Sequence, residues 1–207
     1  VAGSRTDTDD TTFGVFAQHY DAQGNTLGAA FGINPAPEGT QVQPVVAVGP
    51  GGVGVVVYED APADENYVLT GRTFSQEGVM SDAFLVLAAA GLDAVKPALA
   101  ISPSGRVTYA GNVGAQIELF TAPSTETPEP TASWLKTLGS RGLPAITYLG
   151  NEPELAMVSL MNVTGAGSPS ATVEIFTEGT EAPLSTIALG TDPKLPPYPP
   201  AIGYGGG

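Results

Sequence analysis

Gln43-Pro44-Val45-Val46-Ala47-Val48-Gly49-Pro50-Gly51-Gly52 and Lys96-Pro97-Ala98-Leu99-Ala100-Ile101-Ser102-Pro103-Ser104-Gly105 carry one pattern, offset by 53 residues. Each runs from a proline through a short apolar strand to a tight turn holding proline and glycine, and a second apolar strand follows. A third copy starts at Leu143-Pro144-Ala145-Ile146-Thr147-Tyr148, offset by 47. Its turn is Gly150-Asn151-Glu152-Pro153, and Leu155-Ala156-Met157-Val158 comes next. Self-similarity at a fixed period is the sequence mark of a repeat architecture.

A second element recurs between these copies. Ala17-Gln18-His19-Tyr20-Asp21-Ala22-Gln23-Gly24 matches Gly71-Arg72-Thr73-Phe74-Ser75-Gln76-Glu77-Gly78 at an offset of 54. Each is a strand ending in an aromatic, then a polar turn closed by glycine. A strand containing Ala30-Phe31 or Ala83-Phe84 follows in each, and 116–120 and 173–176 are weaker copies. Strand signals fall at 45–48, 53–58, 67–74, 84–87, 98–101, 106–109, 116–121, 145–149, 155–160, 172–177 and 185–189. At 131–138, Trp134, Leu135 and Leu138 allow either a short helical stretch or a strand.

The unit is four short strands in about 50 residues, close to the period of a propeller blade. Two strands over 13–33 and units starting near 43, 96 and 143 make three and a half blades, against the four or so a ring needs. The expected fold is all-β: a partial β-propeller of four-stranded antiparallel repeats, with a two-sheet β-sandwich as the alternative. Residues 1–11 read as an acidic N-terminal segment, 12–190 as the repeat domain and 191–207 as a Pro/Gly-rich tail of polyproline II and glycine.

Composition sets the outer limits. The chain has 207 residues, 7 Lys+Arg against 21 Asp+Glu, a formal net charge of -14, one His and no Cys. Clustered cations, which phosphate binding requires, are missing, so nucleic acid is not an expected partner. Disulfides and thiolate metal sites are excluded. No apolar run approaches the length of a membrane-spanning helix. A start at Val1 suits a mature secreted chain or a fragment of a precursor, and an acidic surface suits an extracellular setting.

The segment 13–34, which holds Phe16-Ala17-Gln18-His19-Tyr20-Asp21, Gly24-Asn25 and Ala30-Phe31-Gly32-Ile33-Asn34, resembles a repeat of large secreted or cell-surface bacterial proteins, adhesin- and haemolysin-like ones among them. Residues 43–58 resemble the later part of that repeat, and the likeness fades after 110. His19 stands where the repeat usually has Arg, and Tyr58 where it usually has Trp. The resemblance implies a propeller-like β-repeat at the cell surface, engaged in adhesion, and no catalytic residues.

Candidate chemistry is sparse. If Tyr20 faces the core, alternation turns His19 and Asp21 to solvent or to a subunit contact. Two acidic loops, one with Asp7, Asp9 and Asp10 and one with Asp60 and Asp64, offer oxygens of the kind calcium takes; the alternative is a solvated loop that protects a sheet edge. Calcium is the one cofactor these loops suggest. Glu118, Glu154 and Glu174 read as exposed solubility devices rather than glycosidase acids. The Pro/Thr/Ser run 122–131 reads as a surface loop, and Asn162-Val163-Thr164 fits an N-glycosylation triplet.

No catalytic residue is assigned, and the expectation is that the chain is not an enzyme. The expected function is a structural or interaction module, a subunit of an assembly outside the cell, at its surface or in the periplasm. Blade edges and the tail would hold it to other protein subunits, same or different chain. Trp134, Pro196, Pro197, Tyr198 and Tyr204 are the expected partner contacts. A glycan- or protein-binding propeller and a carboxylate-dependent glycoside-active enzyme stand as alternatives.

Overall fold

In a computed structural model, the described residues are 2–6, 13–35, 38–61, 66–88, 91–114, 116–136, 141–150, 154–161, 170–180, 182–191 and 202. They form four antiparallel sheets in a row. The first holds β1 (Ala2–Thr6), β2 (Phe13–Tyr20) and β3 (Thr26–Gly32). The second holds β4 (Thr40–Val48), β5 (Gly54–Ala61), β6 (Val68–Phe74) and β7 (Phe84–Leu87). The third holds β8 (Ala94–Ile101), β9 (Val107–Val113), β10 (Gln116–Ala122) and β11 (Ala132–Lys136). The fourth holds β12 (Arg141–Tyr148), β13 (Glu154–Met161), β14 (Ser170–Thr177) and β15 (Ser185–Thr191).

Each sheet is a meander, and the row is not closed into a ring. This is the expected partial propeller, not a two-sheet sandwich. The segment at 131–138 contributes a strand, β11, and not a helix. β1 adds a third strand to the first sheet that its small and polar sequence, Ala-Gly-Ser-Arg-Thr, does not announce.

The repeated prolines lie inside strands rather than at their starts. β4, β8 and β12 begin three or four residues earlier, and the register slips between Val42 and Val45, Val95 and Ala98, and Gly142 and Ala145. Gln43, Lys96 and Leu143, each just before the proline, take positive φ of 53°, 57° and 56°. A bulge is where a strand tolerates proline, which brings no donor to the ladder. At two of these bulges the sheet before supplies a partner for the displaced amide. Lys96 N donates to Glu59 Oε1 at 2.8 Å, and Leu143 N to Asn112 Oδ1 at 3.0 Å. The repeat motif is therefore also the device that pins one sheet to the next.

One register row in each sheet faces the next. Ala2, Ala17 and Phe31 stand opposite one another in the first sheet and pack on Val56, Tyr58 and Phe74 of the second. Val45, Val57, Gly71 and Phe84 form the second row, packed on Tyr109 and its neighbours in the third sheet. Ala98, Ala110 and Leu119 form the third, packed on Ile146, Tyr148, Leu155, Met157 and Phe176 of the fourth. Glycine makes room where the sheets press closest: a Cβ at Gly111 would lie 2.4 Å from Leu69 Cδ1 across the interface. Polar ties add to the packing. Arg72 Nη1 donates to Ile33 O at 2.7 Å between the first two sheets, and Arg106 pairs with Glu178 at 2.6 Å between the last two.

Candidate functional site

In a propeller meander, the turn after the first strand and the turn after the third emerge on the same rim. Three turns meet here between the first two sheets: those after β4 and β6, and the one after β2, the strand that the repeat aligns with β6. Asp21 N donates to Asn25 O, Gly49 N to Val53 O and Ser75 N to Val79 O, each at 2.9 Å. Gly24 and Gly78, at φ 86° and 80°, close the first and third turns in the left-handed conformation that glycine adopts without strain.

These turns bound a groove of about 560 Å³, lined by His19, Tyr20, Leu27, Val48, Gly52, Phe74, Gln76 and Glu77. That volume lies in the range of small-ligand sites. His19 is held between two rings. Its centroid lies 5.1 Å from that of Phe31, edge-on at 64°, and 5.4 Å from that of Phe74. Phe31 and Phe74 stand 5.9 Å apart, so the three rings form one cluster across the sheet junction. At the groove's mouth Ser75 Oγ accepts from the amides of Glu77 and Val79 and donates to Glu77 Oε2 at 2.7 Å. That bond holds the Glu77 carboxyl below the usual carboxylate range.

The expected orientation of His19 is reversed. Val15 and Ala17 belong to the face packed on the second sheet, so alternation puts His19 there too. Tyr20 points the other way and is 46% exposed. The sequence signal for this was the repeat itself: Tyr20 aligns with Phe74, which faces back toward the preceding sheet. The first sheet has no sheet before it among the described residues.

Of the acidic candidates, Asp60 lies in β5 with both oxygens engaged, accepting from Gln41 Nε2 at 3.0 Å and Thr70 Oγ1 at 3.3 Å. Asp7, Asp9, Asp10 and Asp64 lie outside the described residues, as do Pro196, Pro197, Tyr198 and Tyr204. Among the described residues no three His, Asp or Glu side chains converge as a metal site would require. Trp134 stands opposite Leu119 in the register of β10 and β11, and its side chain is outside the described set.

Glu174 departs from its expected place on an exposed face: it is 3% exposed, on the side of β14 that also carries the buried Phe176. Burial pushes Glu118 above the usual carboxylate range, whereas Glu154 is exposed as expected. No helix among the described residues is long and apolar enough to cross a membrane.

Neither a family model nor a curated protein sequence matches the chain. Solved structures do match its shape. The Dos1 propeller is similar at 10% identity and a TM-score of 0.53 over 86% of this chain. This chain spans 43% of that one, less than half its length. A thermostable family-43 glycoside hydrolase is similar at 14% identity and a TM-score of 0.46, over 92% of this chain and 75% of that one. The likeness supports a propeller-like repeat and adds nothing for an adhesin or haemolysin. It corrects one expectation: a glycoside hydrolase stands among the similar propellers, so the reading that the chain is not an enzyme does not hold. At these identities the likeness is one of fold, and the activity of the neighbour stays with the neighbour.

Proposed function

We propose that the chain is an assembly module, joined head to tail to another copy of itself through the end faces of its row of sheets. The observation that carries this reading is the register row of the fourth sheet. Ala145, Val158, Val173 and Ile187 stand opposite one another across β12, β13, β14 and β15. They occupy the places that Ala98, Ala110 and Leu119 hold in the third sheet, where the row is buried against a neighbour. In the fourth sheet the inner part is covered, with Val158 6% exposed, while Ile187 at the outer end is 50% exposed. Among the described residues, no sheet other than the third packs substantially on the fourth, and the third covers its opposite face.

Its counterpart is the back of the first sheet. There Phe16, set between Gly3 and Gly32 in the register, lines a hollow of about 230 Å³ with Ala2, Ser4, Gln18 and Ala30. A small-residue hollow around one aromatic suits an apolar ridge such as Ile187 provides. The pairing is heterologous and therefore propagates until it closes. Two copies would give eight sheets, at the upper end of the usual propeller range. An extracellular or surface location, and contacts by the tail, belong to this reading on the sequence argument alone.

Light scattering of the purified chain tests it. The expected result is a dimer or larger closed species that falls to monomer in Ile187→Asp, with the circular dichroism of the parent retained. A wild-type chain that stays monomeric at high concentration would overturn the reading.

A further inference from the structure

We propose that residues 200–204 of the chain's own C-terminal stretch lie on the inner part of the fourth sheet's end face, as the first strand of a further unit. The sequence carries the motif. Pro200-Ala201-Ile202-Gly203-Tyr204 repeats Pro144-Ala145-Ile146-Thr147-Tyr148, the stretch that opens the fourth sheet, at an offset of 56 residues. The spacing fits as well. Pro44, Pro97 and Pro144 follow the end of the outer strand before them by 12, 10 and 8 residues, and Pro200 follows Thr191, the end of β15, by 9. The chain's own stretch therefore has the reach of the other connections. In a stack of repeats each unit packs on the one before it. Ile146 and Tyr148 of β12 share one cluster with Ala98, Ala110 and Leu119 of the third sheet, and Tyr148 Oη lies 2.6 Å from Thr108 Oγ1. In the fourth sheet Ala145, Val158 and Ala156 hold the places of Ala98, Ala110 and Thr108. The same register sets Ile202 and Tyr204 over these three.

The face itself is covered in this part. Ala156 and Val158 point to it and are 2% and 6% exposed, although no sheet of described residues packs substantially there. Ile202, the one described residue after Thr191, is itself partly buried. The tie between sheets changes in step on both sides. Lys96 N donates to Glu59 and Leu143 N to Asn112. Leu160, two residues after Val158, holds the place that Glu59 and Asn112 hold after Val57 and Ala110, and leucine carries no acceptor. Pro199 holds the place of Lys96 and Leu143 and has no N–H to donate. A donor facing no acceptor would be costly at a buried junction; here donor and acceptor are missing together. Pro199 also cannot take the positive φ of Lys96 and Leu143, so the strand opens at Pro200, where proline costs the ladder nothing. The outer part of the face, around the exposed Ile187, is what this placement leaves for a neighbouring copy.

Methyl NOE spectra of the full chain, labelled at isoleucine and valine, test this. The expected result is a cross-peak between Ile202 and Val158 that survives dilution. In a mixture of isoleucine-labelled and valine-labelled chains it should vanish; a cross-peak that persists there would mean that the strand comes from another copy and would overturn the placement. Ile202→Asp should speed amide exchange in β13 by about tenfold, because the cover is lost while the sheet stays folded. Ile187→Asp, on the outer part of the same face, should keep the cross-peak. Absence of the cross-peak in the folded wild-type chain, or unchanged exchange in Ile202→Asp, would also overturn the placement. Light scattering of the same samples separates it from the joining of copies. A monomer that shows the cross-peak supports the placement and sinks the joining; a dimer that lacks it does the reverse.

Discussion

Tyr20 and Phe74 hold the same place in two copies of one repeat, each the last residue of its strand before a glycine-closed turn. Tyr20 is 46% exposed and Phe74 5%. Local sequence does not explain the gap, because both are large aromatics with the same backbone and the same kind of turn. What differs is the neighbour: Phe74 faces back onto the first sheet, and Tyr20 faces back onto none among the described residues. The outer strands repeat the lesson. β7, in an inner sheet, buries three of its four side chains, whereas β3 and β15, in the end sheets, leave nearly all of theirs in solvent. In a stack of repeats, burial belongs to the junction and not to the unit.

The sharpest way to break this comparison is to truncate both aromatics. Phe74→Ala is expected to lose about 3–5 kcal/mol, because the cavity opens against His19 and Phe31 and cannot collapse fully. Tyr20→Ala should stay within about 0.5 kcal/mol. Urea midpoints at constant slope measure both, and equal losses would mean that the place in the repeat, not the neighbour, sets the energy.

Two buried tyrosines sharpen the point at smaller scale. Tyr109 donates its hydroxyl to Pro128 O at 2.6 Å, so Tyr109→Phe leaves a buried carbonyl unpaired and should cost about 1–3 kcal/mol. Tyr58 is as fully buried, and its hydroxyl has no partner among the described residues. Tyr58→Phe should therefore be neutral or raise the melting temperature. A fall as large as that of Tyr109→Phe would contradict this reading.

Much of the fold was legible in sequence because three of the four sheets open on the same signal. Pro44, Pro97 and Pro144 marked the second, third and fourth sheets, and all eleven strand signals fall within or across observed strands. What the prolines do was not legible. They read as strand starters and turn out to sit at bulges, since a bulge depends on the ladder partner and not on the residue alone.

β1 escaped notice because Ala2, Gly3 and Ser4 carry no strand preference, and pairing with β2 decides the outcome. The groove escaped for a related reason. His19, Phe31 and Phe74 come from two units and meet only once the sheets are docked, and a wrong choice of the side facing the core turned His19 outward. The repeat alignment of Tyr20 with Phe74 held the information needed. Among the described residues no sheet lies behind the first, so Tyr20 is exposed where Phe74 is buried.

Amide hydrogen exchange resolved by strand tests the central claim most directly, that the neighbouring sheet sets burial and local stability. The account predicts the slowest exchange in β5 and β9, whose side chains are buried on both faces almost throughout. It predicts that β7 exchanges more slowly than β3 and β15, although all three are outer strands. If β3 and β15 are protected as strongly as β7, the units are stable by themselves and the account is wrong.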